Sequence, residues 1–97
     1  MASNAAKDVL AERRRQVEVE GWTHEHDDQH DEGELATAAG CYALFSGSHS
    51  DEGEPPPLWP LDPAAWKPRE YRRDLVRAAA LLLAEIERLD RATASDN

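Results

Sequence analysis

The stretch Tyr71-Arg72-Arg73-Asp74-Leu75-Val76-Arg77-Ala78-Ala79-Ala80-Leu81-Leu82-Leu83-Ala84-Glu85-Ile86-Glu87-Arg88-Leu89-Asp90-Arg91 decides the fold class. Neither Gly nor Pro interrupts it, and Leu75, Ala78, Ala79, Leu82, Leu83, Ile86 and Leu89 recur with the helical period. At about 100° per residue, Arg73, Arg77, Arg88 and Arg91 fall within about 60° of one another on the opposite side. Ala80 and Ala84 separate them and leave a smooth basic groove. The pattern predicts a long helix over residues 68–91, its leucine arc turned to the core. Glu87 and Arg91 stand four apart in the order that supports a helix. The polar tail beyond Ala92 is expected to fray.

Upstream of this helix the composition changes. All six prolines fall between Pro55 and Pro68, and Pro55-Pro56-Pro57 favours an extended left-handed helix. Asp62-Pro63 reads as a cap followed by proline at the first helical position, which predicts one turn over residues 62–66. Trp59, Leu61 and Trp66 are apolar enough to fold this arm back across the helices. The other reading is a proline-rich ligand for a separate domain. Residues 46–54 read as a flexible polar loop.

Further upstream, Leu35, Ala38, Ala39, Tyr42 and Phe45 share one face of a helix predicted over residues 31–45. Asp28 with Asp31, or Asp31 with Glu34, would open it as a cap-like pair. Gly33, Ala36 and Gly40 lie on its other sides, where small residues admit a close neighbouring helix. A glycine inside a helix costs ~1 kcal/mol against alanine, so a contact at Gly40 is expected. The first helix, over residues 4–19, is capped by Ser3 or Asn4 and ended by a left-handed Gly21. Its stripe of Ala6, Val9, Leu10 and Val17 is thin, so it reads as a lid. Arg13-Arg14-Arg15 either pair with Glu12 or Glu18 or recognise phosphate or carboxylate. The chain thus reads as a single all-α domain, residues 1–97. Three helices (about 4–19, 31–45 and 68–91) are crossed by a Pro/Trp-rich loop over residues 46–67, with no sheet.

With 97 residues, the core is modest, which leaves a homodimer open. The net charge of −9 argues against a general nucleic-acid binder, because neutralising phosphates needs a basic surplus, and no direct nucleic-acid binding is expected. An acidic surface suits a basic protein partner, or serves solubility. Cys41 is the only cysteine, so it forms no intrachain disulfide, and it falls within a helical apolar pattern as a core residue. No apolar run approaches the ~18 residues of a membrane span. A soluble, cytoplasmic protein is the expectation.

The chemistry concentrates in Gly21-Trp22-Thr23-His24-Glu25-His26-Asp27-Asp28-Gln29-His30-Asp31-Glu32-Gly33-Glu34-Leu35. Carboxylates and imidazoles bind divalent metals and move protons. Asp27, Asp28, Asp31 and Glu34 are candidates for Mg²⁺. His24, His26 and His30 are candidates for zinc, with His26 and His30 on one face if the segment is helical. His26, Asp27, Asp28, His30, Asp31, Glu34 and Asp74 are the candidates for a partner or metal site, and Arg73 and Arg77 for phosphate. No serine motif is embedded in the chain and Cys41 has no histidine at a useful spacing, so nucleophilic catalysis has no support.

Two resemblances follow from particular motifs. Glu20-Gly21-Trp22-Thr23, Glu25-His26-Asp27-Asp28, Gly33-Glu34-Leu35-Ala36, Trp66-Lys67-Pro68, Arg72-Arg73-Asp74-Leu75-Val76 and Ala84-Glu85-Ile86-Glu87-Arg88-Leu89-Asp90 carry the first. Through them the chain from about Leu10 to Arg91 resembles a family of small bacteriophage and prophage proteins. That resemblance implies an accessory role in the bacterial host cytoplasm, binding a host or defence component as an anti-CRISPR-type or other inhibitor. The second is to MazG-like all-α nucleoside triphosphate pyrophosphohydrolases. Gly33-Glu34-Leu35-Ala36-Thr37-Ala38-Ala39 is similar to their Gly-Glu-Leu-x-x-Ala helix, and Asp74-Leu75-Val76 to their Asp-Val-Leu segment. It implies a Mg²⁺-dependent hydrolase using Asp27, Asp28, Asp31, Glu34 and Asp74. Yet the residues three either side of Glu34 are Asp31 and Thr37, and Tyr71 stands three before Asp74. The paired acids of that family are therefore incomplete here. A third reading, between these, is a protein that sequesters a nucleotide on Arg73 and Arg77 without cleaving it.

Overall fold

The computed structural model describes residues 2–46 and 54–95. Within them the chain is all-helical: α1 spans Asn4–Glu18, α2 His24–Asp28, α3 Glu34–Phe45 and α4 Tyr71–Ser95, with a 3₁₀ turn at Pro63–Ala65. The polar loop expected over residues 46–54 lies, from 47 to 53, outside the described residues.

Local chemistry accounts for most of the boundaries. The Ser3 hydroxyl accepts the Ala6 N–H at 3.1 Å and starts α1. Gly21, at φ 78°, turns the chain after it. The Asp62 carboxylate accepts the Ala64 N–H at 2.9 Å and starts the 3₁₀ turn, with Pro63 at its first position. α3 begins three residues later than its period suggested, because Gly33 at φ 84° precedes it without a side-chain cap. α4 starts at Tyr71 and continues to Ser95, past the expected fraying point.

The core lies between α3, α4 and the arm. Leu35, Ala38, Ala39, Cys41 and Tyr42 from α3 meet Ala78, Leu81 and Ala84 from α4, with Trp22, Trp59 and Trp66 closing the cluster. Burial pushes the Cys41 thiol pKa up and keeps it an inert apolar residue. The arm folds back as its tryptophans predicted. Trp66 stacks on Tyr42 with centroids 4.7 Å apart, and Trp59 meets both rings edge-on. The Tyr42 hydroxyl donates to Ala65 O at 3.2 Å and accepts the Lys67 N–H at 2.9 Å, which pins the arm to α3.

Three expectations are overturned. The leucine arc of α4 does not face the core: Leu82 is 47% and Ile86 54% exposed, whereas Leu81 is fully buried. The side turned inward is the one carrying the arginines, with Ala80 and Ala84 beneath them. Likewise α1 buries Glu12, Arg13 and Gln16, and its Leu10 points to solvent. Two polar faces therefore meet, because α1 has acids to match the α4 arginines and too thin an apolar stripe to cover its leucines. Small alanines between the arginines allow close approach on that side. The close helix contact expected at Gly40 is also absent: a Cβ built there meets nothing within 4 Å.

These placements give a sharp contrast. Leu81→Ala should cost ~2–5 kcal/mol, the usual range for a buried leucine, and Leu82→Ala less than ~1 kcal/mol. Gly40→Ala should add up to ~1 kcal/mol, since helix propensity rises with no clash to offset it. Urea denaturation of the three variants checks all three values.

Candidate functional site

The site expected between Gly21 and Leu35 is built on α2, a short helix that periodicity could not reveal. The Thr23 hydroxyl caps it, accepting the His26 N–H at 3.3 Å. Trp22 anchors the entry: its backbone N–H donates to the Gln16 backbone carbonyl at 2.9 Å, and its buried ring stacks with His26 at 5.9 Å.

The carboxylates then diverge. Asp27, wholly buried, takes Arg13 Nη2 at 2.6 Å on one oxygen and lies 3.0 Å from His26 Nδ1 with the other. Asp28 points outward to Arg91, whose Nη2 and Nε donate to it at 2.7 and 3.2 Å. That bond holds the Asp28 pKa below the usual carboxylate value. Glu34 folds over the start of α3, where its own N–H and that of Glu32 hold its pKa down. Its other oxygen lies 3.4 Å from His30 Nδ1. Asp31 is exposed and shares a shallow depression with Asp28, Arg88, Arg91 and Ala92. The His26 and His30 rings do sit together, with centroids 4.6 Å apart, while His24 is exposed.

Asp74 is separate from all of these. Wholly buried, it accepts the Arg69 N–H at 2.8 Å, Ser46 Oγ at 2.6 Å and Arg77 Nη1 at 3.2 Å. It ties the end of α3 to the start of α4, where negative charge suits the helix dipole. Among the described residues, no three His, Cys, Asp or Glu side chains are grouped so that they could hold a metal ion. Asp27 and Asp74, being wholly buried, also belong to no partner-facing surface.

The phosphate candidates are engaged as well. Arg73 bonds to Glu12, and Arg77 is buried between Asp74 and the face of Tyr42, 5.8 Å from its centroid. Glu12 is the hub of the α1–α4 contact: Arg15 grips it with two bonds at 2.9 Å and Gln16 Nε2 lies 3.4 Å away. Glu20, in turn, receives Arg15 at 3.0 Å and Lys67 at 3.1 Å.

What remains outward is an acidic surface of Glu25, Asp28, Asp31 and Glu32. Glu25 and Glu32 were not singled out in the sequence. Only the placement of α2 shows that they share the solvent side with Asp28 and Asp31, while Asp27 turns in. Set against protein-family models, curated proteins and solved structures, the chain matches none.

The ion pairs set two expectations. Arg13→Ala should destabilise by ~3–5 kcal/mol by leaving Asp27 buried and unpaired, while Arg13→Met with Asp27→Leu together should cost less than either single change. Burial acts to raise the pKa values of Glu12 and Glu20, but bonds from Arg15 and Arg73 to Glu12, and from Lys67 and Arg15 to Glu20, outweigh it and lower both. Their contribution is therefore fully present above the unfolded glutamate pKa of ~4.3 and is lost as pH falls through the lower folded values. The stability measured in urea should decline below about pH 5, and Glu12→Gln should flatten that decline.

Proposed function

We propose that the chain is a non-catalytic accessory protein of the phage type, which binds a basic protein, a host or defence component, through the outward face of α2 and the segment after it. The observation that carries this reading is the division of the carboxylates. Asp27 and Asp74 are sealed by Arg13 and Arg77, whereas Glu25, Asp28, Asp31 and Glu32 fan into solvent. An acidic surface on a chain of net charge −9 steers a basic partner electrostatically and sets its orientation. A hydrolase would need Asp27 to exchange Arg13 for a cation and swing toward Asp28, Asp31 and Glu34. Nucleotide sequestration would need Arg73 and Arg77 to leave Glu12 and Asp74 for a phosphate. Binding through the exposed Glu25, Asp31 and Glu32 asks none of these bonds to break, and Asp28 keeps Arg91.

The test uses the immobilised protein and a bacterial lysate, with retained proteins identified by mass spectrometry and their affinities then measured individually. A basic protein should be retained, and Glu25→Gln/Asp31→Asn/Glu32→Gln should weaken it at least ~10-fold and reduce its salt sensitivity. The melting temperature of the triple variant should stay close to that of the parent, because none of the three side chains is buried. Mg²⁺-dependent pyrophosphate release from a nucleoside triphosphate, abolished by Asp27→Asn, would replace this reading with the hydrolase.

A further inference from the structure

The exposed side of α4 forms an ordered stripe. Tyr71, Leu75, Ala79, Leu82, Ile86 and Leu89 follow one another at spacings of four, four, three, four and three residues. At about 100° per residue they lie within an arc of about 80°. Tyr71 is 63% exposed, and Leu75, Leu82, Ile86 and Leu89 are 37–54% exposed. From Leu75 onward the alternation of four and three is the heptad seam by which one helix packs along another, with Leu at one core position and Ala or Ile at the other. Other sides of α4 are taken by α1, α2 and α3. Apolar side chains so regularly spaced and so open to water mark a contact surface.

We propose that this stripe is a homodimer interface, in which α4 of one copy packs antiparallel against α4 of a second. The stripe complements itself in that direction. Setting Ala79 opposite Leu82 of the partner also sets Leu75 opposite Ile86, so a small residue meets a large one at the centre of a two-fold contact. The same register brings Arg72 of each copy beside Asp90 of the other. Both residues are exposed, and they flank opposite ends of the stripe. A parallel pairing would leave Arg72 and Asp90 of the two copies at opposite ends and on opposite sides of the seam, and so lose this pair. Antiparallel helix dipoles favour the same choice. Size sets the strength. From Tyr71 to Leu89 the stripe is about 27 Å long and one helix wide, smaller than the ~800 Å² per partner of a standard interface. The dimer is thus reversible and dissociates on dilution through the micromolar range. It uses a face apart from the α2 acids, so it stands or falls independently of what those acids bind.

Sedimentation velocity on the full chain, from a few micromolar to several hundred micromolar, tests the proposal. The mass should rise with concentration from 10.8 kDa toward twice that value. Leu82→Arg/Ile86→Arg should hold it at 10.8 kDa throughout, with an unchanged helical circular-dichroism spectrum, since both side chains are solvent-facing. Arg72→Glu should weaken association several-fold, and Arg72→Glu/Asp90→Arg should restore it. Both variants lose the Arg72–Asp8 pair, so their difference isolates the contact between copies. A parent chain that stays at 10.8 kDa at every concentration would overturn the proposal. So would a folded Leu82→Arg/Ile86→Arg chain that still dimerises, or a double charge reversal that restores nothing.

Discussion

The structure depends on the buried bond between Arg13 and Asp27, 2.6 Å long and closed to solvent on both sides. One guanidinium links three helices: it holds Asp27 of α2, caps the carbonyl of Trp22 at 3.3 Å and reaches Glu87 of α4 at 3.5 Å. A buried ion pair contributes little net stability compared with a well-packed apolar contact, since desolvation offsets its attraction. Its effect is on choice. A charge left without its partner in this interior is costly, so α1 has few acceptable positions on α4, and α2 is held with Asp27 inward and Glu25 and Asp28 exposed.

The same constraint explains why α4 turns its arginines inward. Arg73 meets Glu12 of α1 and Arg91 meets Asp28 of α2, while Arg77 pairs within α4 with Asp74, and Ala80 and Ala84 let the neighbouring helices come close. Complementary charge and small side chains together outweigh the leucine arc in deciding which side is covered. The side-chain Oε1 of Gln16, buried without a hydrogen-bond partner among the described residues, is the group such a polar interface leaves over. The leucines then remain as a seam on the outer side of the molecule.

α3 and the arm form the conventional part of the fold. Tyr42 is its pivot, packed between Trp59, Trp66 and the Arg77 guanidinium while its hydroxyl holds the arm's backbone. Burial raises its pKa, so it remains a neutral phenol able to donate to Ala65. Because the arm is anchored there, Lys67 is brought to Glu20, and the end of α1 is joined electrostatically to the approach to α4.

Residues close in sequence settled the helical class, a cap at Ser3 or Asn4, the left-handed turn at Gly21, the Asp62-Pro63 turn and the return of the tryptophan arm. Each of these depends on contacts within a few positions or on large aromatic surfaces with few places to go. Periodicity also identified both faces of α4, the leucine arc and the arginine side, but turned the leucine arc to the core, whereas the folded chain covers the arginine side. That choice depends on what α1 and α2 present, and on pairings such as Arg13 with Glu87, 74 residues apart. For the same reason the acidic stretch was visible as a stretch, but not its division into a buried Asp27 and an outward Glu25, Asp28, Asp31 and Glu32. A helical turn sends adjacent side chains about 100° apart, and only the position of Arg13 in the folded chain determines which of them turns in.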